Sequence, residues 1–132
     1  MICLEGKTIG LRNSELLIII PAYNESGNIE KTIKMIEEHT PEFDYVIIND
    51  CSTDRTLEIC RNNNFNVIDL PINLGIGGAV QTGYQYAVKN GYQYAVQVDG
   101  DGQHNPEFIR KMLQVLQEKN VNMVIGSRFI EN

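Results

Sequence analysis

Two carboxylates stand two residues apart in Asp99-Gly100-Asp101-Gly102, directly after Tyr94-Ala95-Val96-Gln97-Val98. Acids at this spacing behind a strand can both face one pocket once the chain leaves the pleat. The glycines put no side chain in a ligand's path. Hard oxygen donors of this kind suit Mg2+ or Mn2+, ions that keep coordination positions open for phosphate oxygens. The competing reading is a solvated Asp-Gly turn. Two such pairs in succession, immediately behind an apolar strand, weigh against it. Gln103 and His104 could add a ligand or a supporting hydrogen bond; taken alone, His104 reads as a surface or capping residue.

Three other places carry chemistry. Asp50 follows Ile47-Ile48-Asn49, where an acid at a strand end can accept from a ribose hydroxyl or a base N–H; its ordinary role would be to cap the next helix. Asp54 has the stronger capping reading, since an acid in a first helical turn is favoured by the macrodipole. Gly75-Ile76-Gly77-Gly78-Ala79 resembles a phosphate-cradling loop at a helix N-terminus. It is not the dinucleotide fingerprint, because Val80 stands at the sixth position and the loop follows the third strand. No Walker loop follows either, so a tight turn with close helix packing is the modest reading. Arg128, just past another apolar stretch, offers a planar fork for phosphate, or an ordinary surface ion pair.

The elements that must position these groups are legible as apolar periodicity. Residues 16–20 form an unbroken apolar run ended by Pro21, a strand buried on both faces. Ile29, Ile33 and Ile36 recur at helical spacing, with Ser26 as the expected N-cap and His39-Thr40-Pro41 as the end. Residues 45–48 predict a second strand. A helix with Leu57, Ile59 and Cys60 should follow, capped by Ser52 or Thr53 and fading at Asn62-Asn63-Asn64. A short third strand falls at 66–70. The next helix carries Ala79, Val80, Gly83, Tyr84, Ala87 and Val88 and stops at Asn90-Gly91. A fourth strand falls at 94–98. Asn105-Pro106-Glu107 starts a helix as N-cap, N1 proline and first-turn acid, with Phe108, Ile109, Met112, Leu113 and Leu116 as its buried stripe. Residues 121–125 predict a fifth strand. The order β-α-β-α-β-α-β-α-β implies a mostly parallel, Rossmann-like α/β sheet flanked by helices, joined by right-handed crossovers. In such sheets ligands bind beyond the carboxyl ends of the strands, where Tyr23-Asn24-Glu25, residues 49–54, residues 99–104 and Ser127-Arg128 should converge.

With 132 residues and 42% hydrophobic side chains the chain is one domain with a real core. Eleven Lys plus Arg against 17 Asp plus Glu give a net charge of −6. That balance argues against broad nucleic-acid binding but not against an anionic ligand carried on a cation or a helix N-terminus. Cys3, Cys51 and Cys60 lack C-x-x-C spacing, so neither a disulfide framework nor a thiolate zinc site is indicated, and a reducing cytoplasm is the expected compartment. The first residues have no apolar core of a secretory signal. The longest apolar run is far below the roughly 18 residues of a membrane span.

In order, Ile20-Pro21-Ala22-Tyr23-Asn24-Glu25, Asn49-Asp50-Cys51-Ser52-Thr53-Asp54, Asn73-Leu74-Gly75-Ile76-Gly77-Gly78-Ala79, Asp99-Gly100-Asp101-Gly102-Gln103-His104-Asn105-Pro106 and Gly126-Ser127-Arg128-Phe129 resemble the motifs of family 2 glycosyltransferases. The subset most similar is the dolichyl- or polyprenyl-phosphate sugar synthases. The resemblance covers about residues 14 to 130, and five motifs in register make it specific. It implies a GT-A fold with the nucleotide across the strand ends. By this similarity Pro21, Ala22, Tyr23 and Glu25 line the nucleotide pocket, Asp50 contacts base or ribose, and Gly78 belongs to the donor-binding loop. Asp99 would touch the nucleotide or the metal shell, Asp101 would ligate the metal with Gln103 nearby, and Arg128 would reach a donor or acceptor phosphate. Asn49 stands where many relatives carry Asp, and Cys51 where glycine is frequent.

The implied function is an inverting transfer from a UDP- or GDP-sugar, with Mg2+ or Mn2+, to a polyprenyl phosphate or a glycan. The implied setting is the cytoplasm or the cytoplasmic face of a membrane, reached through further segments or a partner. Family members usually run well past 200 residues, so the sequence is expected to hold the donor-binding part of a longer catalytic domain. Two other classes compete: a nucleotide-sugar-binding module without transfer, and a metal-dependent nucleotidyltransferase. The latter calls for a Gly-rich, basic loop after the first strand, where this chain has Ala22-Tyr23-Asn24-Glu25.

Overall fold

In the computed structural model, residues 2–3, 14–100 and 105–123 are described. The sheet is built outward from one strand. The run Leu16–Ala22, all seven residues buried, is its spine. It is β2 in chain order, after the two-residue strand β1, Ile2–Cys3. Strand β3 (Asp44–Asn49) pairs parallel with one edge of β2, and β5 (Tyr94–Gln97) pairs parallel with the other. Strand β4 (Val67–Asp69) lies parallel beyond β3. β1 runs antiparallel along the outer edge of β5. The order is therefore β1-β5-β2-β3-β4. The chain winds outward from β2 through β3 to β4, then returns across β2 to lay down β5. That reversal opens a crevice at the carboxyl ends of β2 and β5, the switch point where parallel sheets bind ligands.

Alternation along β2 divides the core between two layers. Leu16, Ile18 and Ile20 face Ile29, Ile33 and Ile36 of α1 (Ile29–His39), Cys60 of α2 (Thr56–Asn62), and Ile109, Leu113 and Leu116 of α4 (Glu107–Lys119). Leu17 and Ile19, with Val46 and Ile48, face Ala79 and Ala87 of α3 (Gly75–Lys89). Each fully buried Leu or Ile contributes about 1.5–3 kcal/mol of transfer free energy, so β2 is the most strongly held element. Helix α3 lies close because Gly83 has no side chain: a Cβ there would come within 2.3 Å of Ile19 Cγ2.

Several expectations are corrected. β2 does not stop at Pro21 but runs to Ala22, with Pro21 in register with Ile48. Proline is tolerated there because pairing with β5 has ended at Ile19. Ser26 does not cap α1; Asn28 occupies that position without a side-chain cap. Neither Ser52 nor Thr53 caps α2, which starts at Thr56; Asp54 Oδ1 accepts the Thr56 N–H instead, at 2.9 Å. The start of α4 falls one residue later than the spacing suggests, with Pro106 at the N-cap position and Asn105 Oδ1 accepting the Glu107 N–H. Phe108 leaves the predicted stripe and is 56% exposed, its ring under the Lys111 ammonium. Of the predicted fifth strand, Val121 and Asn122 are not strand, Met123 makes an isolated bridge, and the remainder lies outside the described residues. No described helix is long and apolar enough to cross a membrane.

Candidate functional site

Three chain segments leave the sheet at the same edge. The first is Tyr23-Asn24-Glu25 after β2. Asn24 has φ +54°, a left-handed conformation that asparagine tolerates better than most residues. The second is Asp50-Cys51 after β3, joined to the first where the Asp50 N–H donates to the Ala22 carbonyl at 2.9 Å. Cys51 also has positive φ, +57°, which gives a physical reason for glycine being frequent there in similar sequences. The third is Asp99-Gly100 after β5, where the Val98 N–H donates to the Ile19 carbonyl of β2 at 2.9 Å.

These segments enclose a cavity of about 290 Å³ lined by Pro21, Ala22, Tyr23, Glu25, Asp50, Ile76, Ala79, Asp99 and Gly100. Six of the residues singled out in the sequence thus meet on one surface: Pro21, Ala22, Tyr23, Glu25, Asp50 and Asp99. Gly78 does not line it. It serves packing, since a Cβ there would come within 2.6 Å of Leu74 Cβ. Asp101, Gln103, His104 and Arg128 lie outside the described residues. Ile76 and Ala79 also line the cavity; the sequence offers them only as members of a loop that resembles a phosphate cradle, not as site residues in their own right. The signal for them was there, in the Gly75-Ile76-Gly77-Gly78-Ala79 turn itself.

Asp50 is only 3% exposed, and its surroundings explain how a carboxylate is accommodated there. Its Oδ1 accepts the Leu74 N–H at 2.7 Å, and its carbonyl accepts the Asn73 amide at 3.2 Å. The side chain therefore ties the β4–α3 connection to the end of β3 and places Ile76 over the cavity. Asn49, 1% exposed, is likewise engaged. Its amide donates to Asp69 at 2.8 Å, and its oxygen accepts the Ser52 hydroxyl at 2.5 Å.

Asp54 does not line the cavity. Burial opposes its ionisation, but hydrogen bonds from Thr56 and Ser26 outweigh that cost and pull its pKa to about 2.

The lining holds three carboxylates, Glu25, Asp50 and Asp99, and no lysine or arginine. Asp99 is half-buried and accepts from the Gln97 amide at 3.3 Å. Beneath it, a Cβ on Gly100 would sit 3.3 Å from the Pro21 carbonyl oxygen and 3.5 Å from Glu25 Cγ. Glycine keeps that floor clear between two carboxylate-bearing segments. Carboxylate oxygens are hard donors of the kind that divalent cations take, and Asp101, two residues beyond Asp99, lies outside the described residues. Among the described residues no cluster of three or more His, Cys, Asp or Glu with metal-binding spacing forms.

Comparison with known proteins bears on this edge. The family model described as "Glycosyl transferase family 2" matches residues 17–132. The chain is 30% identical over 118 residues to the undecaprenyl-phosphate mannosyltransferase of Micrococcus luteus, covering 86% of this chain and 48% of that protein. Among solved structures it is similar to S. aureus TarS 1–349 in complex with UDP-GlcNAc. That match has a TM-score of 0.64 and 27% identity, over 80% of this chain and 32% of that one. The fold is also shared with the mannosyltransferase PcManGT from Pyrobaculum calidifontis in complex with GDP-Man and Mn2+. There the TM-score is 0.65 at 18% identity, over 85% of this chain and 35% of that one. The chain spans about half the length of the curated relatives it matches.

Proposed function

The chain belongs to glycosyl transferase family 2 and has its Rossmann-like GT-A fold, and from that premise we propose that it binds a UDP- or GDP-sugar and passes the sugar, with inversion, to a polyprenyl phosphate or a glycan. The observation that carries this reading is the cavity at the sheet's carboxyl edge, where Pro21, Ala22, Tyr23 and Glu25 meet Asp50 and Asp99. The similarity to TarS with UDP-GlcNAc supports a nucleotide-sugar donor. The similarity to an undecaprenyl-phosphate mannosyltransferase supports a lipid-phosphate acceptor, which would place the work at the cytoplasmic face of a membrane.

In this reading Asp50 offers its second carboxylate oxygen to a base N–H or a ribose hydroxyl, while Oδ1 stays on Leu74. Tyr23, 48% exposed at the rim, and Ile76 supply apolar surface for the base. Arg128 would reach a donor or acceptor phosphate, and Gly78 would contribute only by letting the turn that carries Ile76 pack closely on Leu74. Asp99, Asp101 and Gln103 would hold Mg2+ or Mn2+, which when bound neutralises charge on the departing diphosphate as a Lewis acid. The acceptor oxygen forms its bond to the anomeric carbon as the bond from that carbon to the diphosphate oxygen breaks, and the electron pair leaves with the nucleoside diphosphate. A lipid phosphate arrives already ionised, so no strong general base is required of the chain.

Calorimetric titration with UDP, GDP and their sugars, with and without Mn2+, tests the reading. Metal-dependent binding is the expected result, and a folded sample that binds none of them refutes it. Asp101→Asn should abolish the metal-dependent part of the affinity and leave the fold intact; unchanged affinity removes Asp101 from the metal role.

A further inference from the structure

Resting on that nucleotide-binding reading, we propose that Asn24, which does not line the cavity, is a positioning residue that locks the pocket-forming loop after β2 onto the loop before α2. Three consecutive amides of the first loop donate to side chains of the second. The Asn24 N–H goes to Ser52 Oγ at 3.0 Å, the Glu25 N–H to Thr56 Oγ1 at 2.9 Å, and the Ser26 N–H to Asp54 Oδ2 at 3.1 Å. Asn24 returns the arrangement in the other direction. Its Oδ1 accepts the Thr53 N–H at 2.8 Å, the Thr53 hydroxyl at 3.2 Å and the Asp54 N–H at 3.3 Å.

One side chain thus satisfies two backbone donors ahead of α2. That helix is seven residues long, too short to hold its own first turn in water without tertiary support. The second loop is anchored in turn to the sheet, since Ser52 donates to the buried Asn49. Tyr23 and Glu25 flank Asn24 and both line the cavity. The Glu25 carboxylate and carbonyl are also held locally, by the Asn28 amide and by the Asn28 and Ile29 N–H groups, while the bonds to the second loop hold the left-handed turn at Asn24 from which both side chains project. Asparagine suits both demands, because it tolerates the conformation and carries an acceptor at the right reach.

The two demands can be separated. Asn24→Gly keeps the left-handed conformation accessible and removes the acceptor; Asn24→Ala loses both. UDP and GDP are titrated with Mn2+ into the wild-type chain, into both variants, and into Ile33→Val, a core variant at a residue that does not line the cavity and that serves as a stability control. Asn24→Gly is expected to weaken nucleotide affinity about tenfold, the scale of one well-formed hydrogen bond lost, well beyond any loss in Ile33→Val at equal unfolding midpoint. Amide hydrogen exchange at Thr53 and Asp54 should speed up in the same variant.

Affinity of Asn24→Gly within twofold of wild type overturns the proposal, as does a loss matched by Ile33→Val. If Asn24→Gly does not fold, Ser52→Ala, which removes the acceptor for the Asn24 N–H, decides by the same criterion. Absence of binding by the wild-type chain overturns the nucleotide reading and this proposal with it, whereas wild-type binding left intact in the variants overturns the positioning role alone.

Discussion

At the scale of single residues, the acids of this chain divide by what they accept. Asp54 accepts from the Thr56 amide and hydroxyl and from the Ser26 amide, and its pKa falls from the ordinary 3.8 to about 2. The folded state therefore favours the ionised form. The stability this adds is complete above about pH 4 and is lost as pH falls through 2. Urea midpoints of wild type and Asp54→Asn should differ at pH 7 and converge as the pH is lowered from 4 to 2. A constant difference across that window would assign the effect to something other than the charge. Asp50 is a different case, because one oxygen has a structural partner in the Leu74 amide. Asp50→Ala should cost about 1–3 kcal/mol of stability by leaving that donor unsatisfied. Asp50→Asn keeps an oxygen for Leu74, so it should retain most of the stability and still lose nucleotide affinity; chemical denaturation and calorimetry on the two variants separate the roles. The Asp50 reading from sequence set ligand contact against a capping duty, and the structure shows that the anchoring duty exists, directed at the loop before α3.

At the scale of elements, periodicity was a sound guide wherever an apolar stripe met a single surface. α1 buries Ile29, Ile33 and Ile36 as their spacing predicts. It failed at ends and edges. Phe108 fits the α4 stripe by residue type, yet Ile109, Leu113 and Leu116 are the buried residues of that helix, Met112 packs partly buried against the same core, and Phe108 lies against the Lys111 ammonium instead. The caps of α1 and α2 were misassigned for a related reason: Ser52, Asp54 and Thr56 accept from a different segment, about thirty residues away in sequence, and local sequence carries no sign of that pairing. α3 illustrates a constraint that composition would misjudge. Replacing a mid-helix glycine by alanine usually helps by up to about 1 kcal/mol. Gly83→Ala should instead destabilise by about 1–3 kcal/mol, because the new methyl meets the branched Ile19 side chain of β2 at 2.3 Å. A lower urea midpoint checks this, and an increase would mean that α3 can lift from the sheet at little cost.

At the scale of the whole molecule, the net charge of −6 matters less than where the acids gather. The cavity, as the described residues line it, carries three carboxylates and no basic side chain, so a diphosphate entering without a cation is repelled by these acids. Chelation of divalent ions should therefore cut the affinity for UDP or GDP at least tenfold, while the affinity for the corresponding nucleoside changes little. Titrations of both ligands with and without chelator measure this, and equal losses for nucleoside and nucleoside diphosphate would contradict it. The sequence by itself determined that this chain is a mostly parallel α/β protein whose polar motifs at 23–25, 49–54 and 99–100 follow strands, because buried strands and amphipathic helices are written in apolar spacing and ligand loops in the turns between. It also carried enough motif order to indicate the family. Only the tertiary structure decided which of those motifs share a surface. It brought residues 21–23, 25, 50 and 99 together through the return of β5 to the far side of β2, and it turned Gly78 toward packing and Asp54 toward the loop after β2. Strand order and loop-to-loop hydrogen bonds depend on contacts between residues distant along the chain, and no local pattern of side chains encodes them.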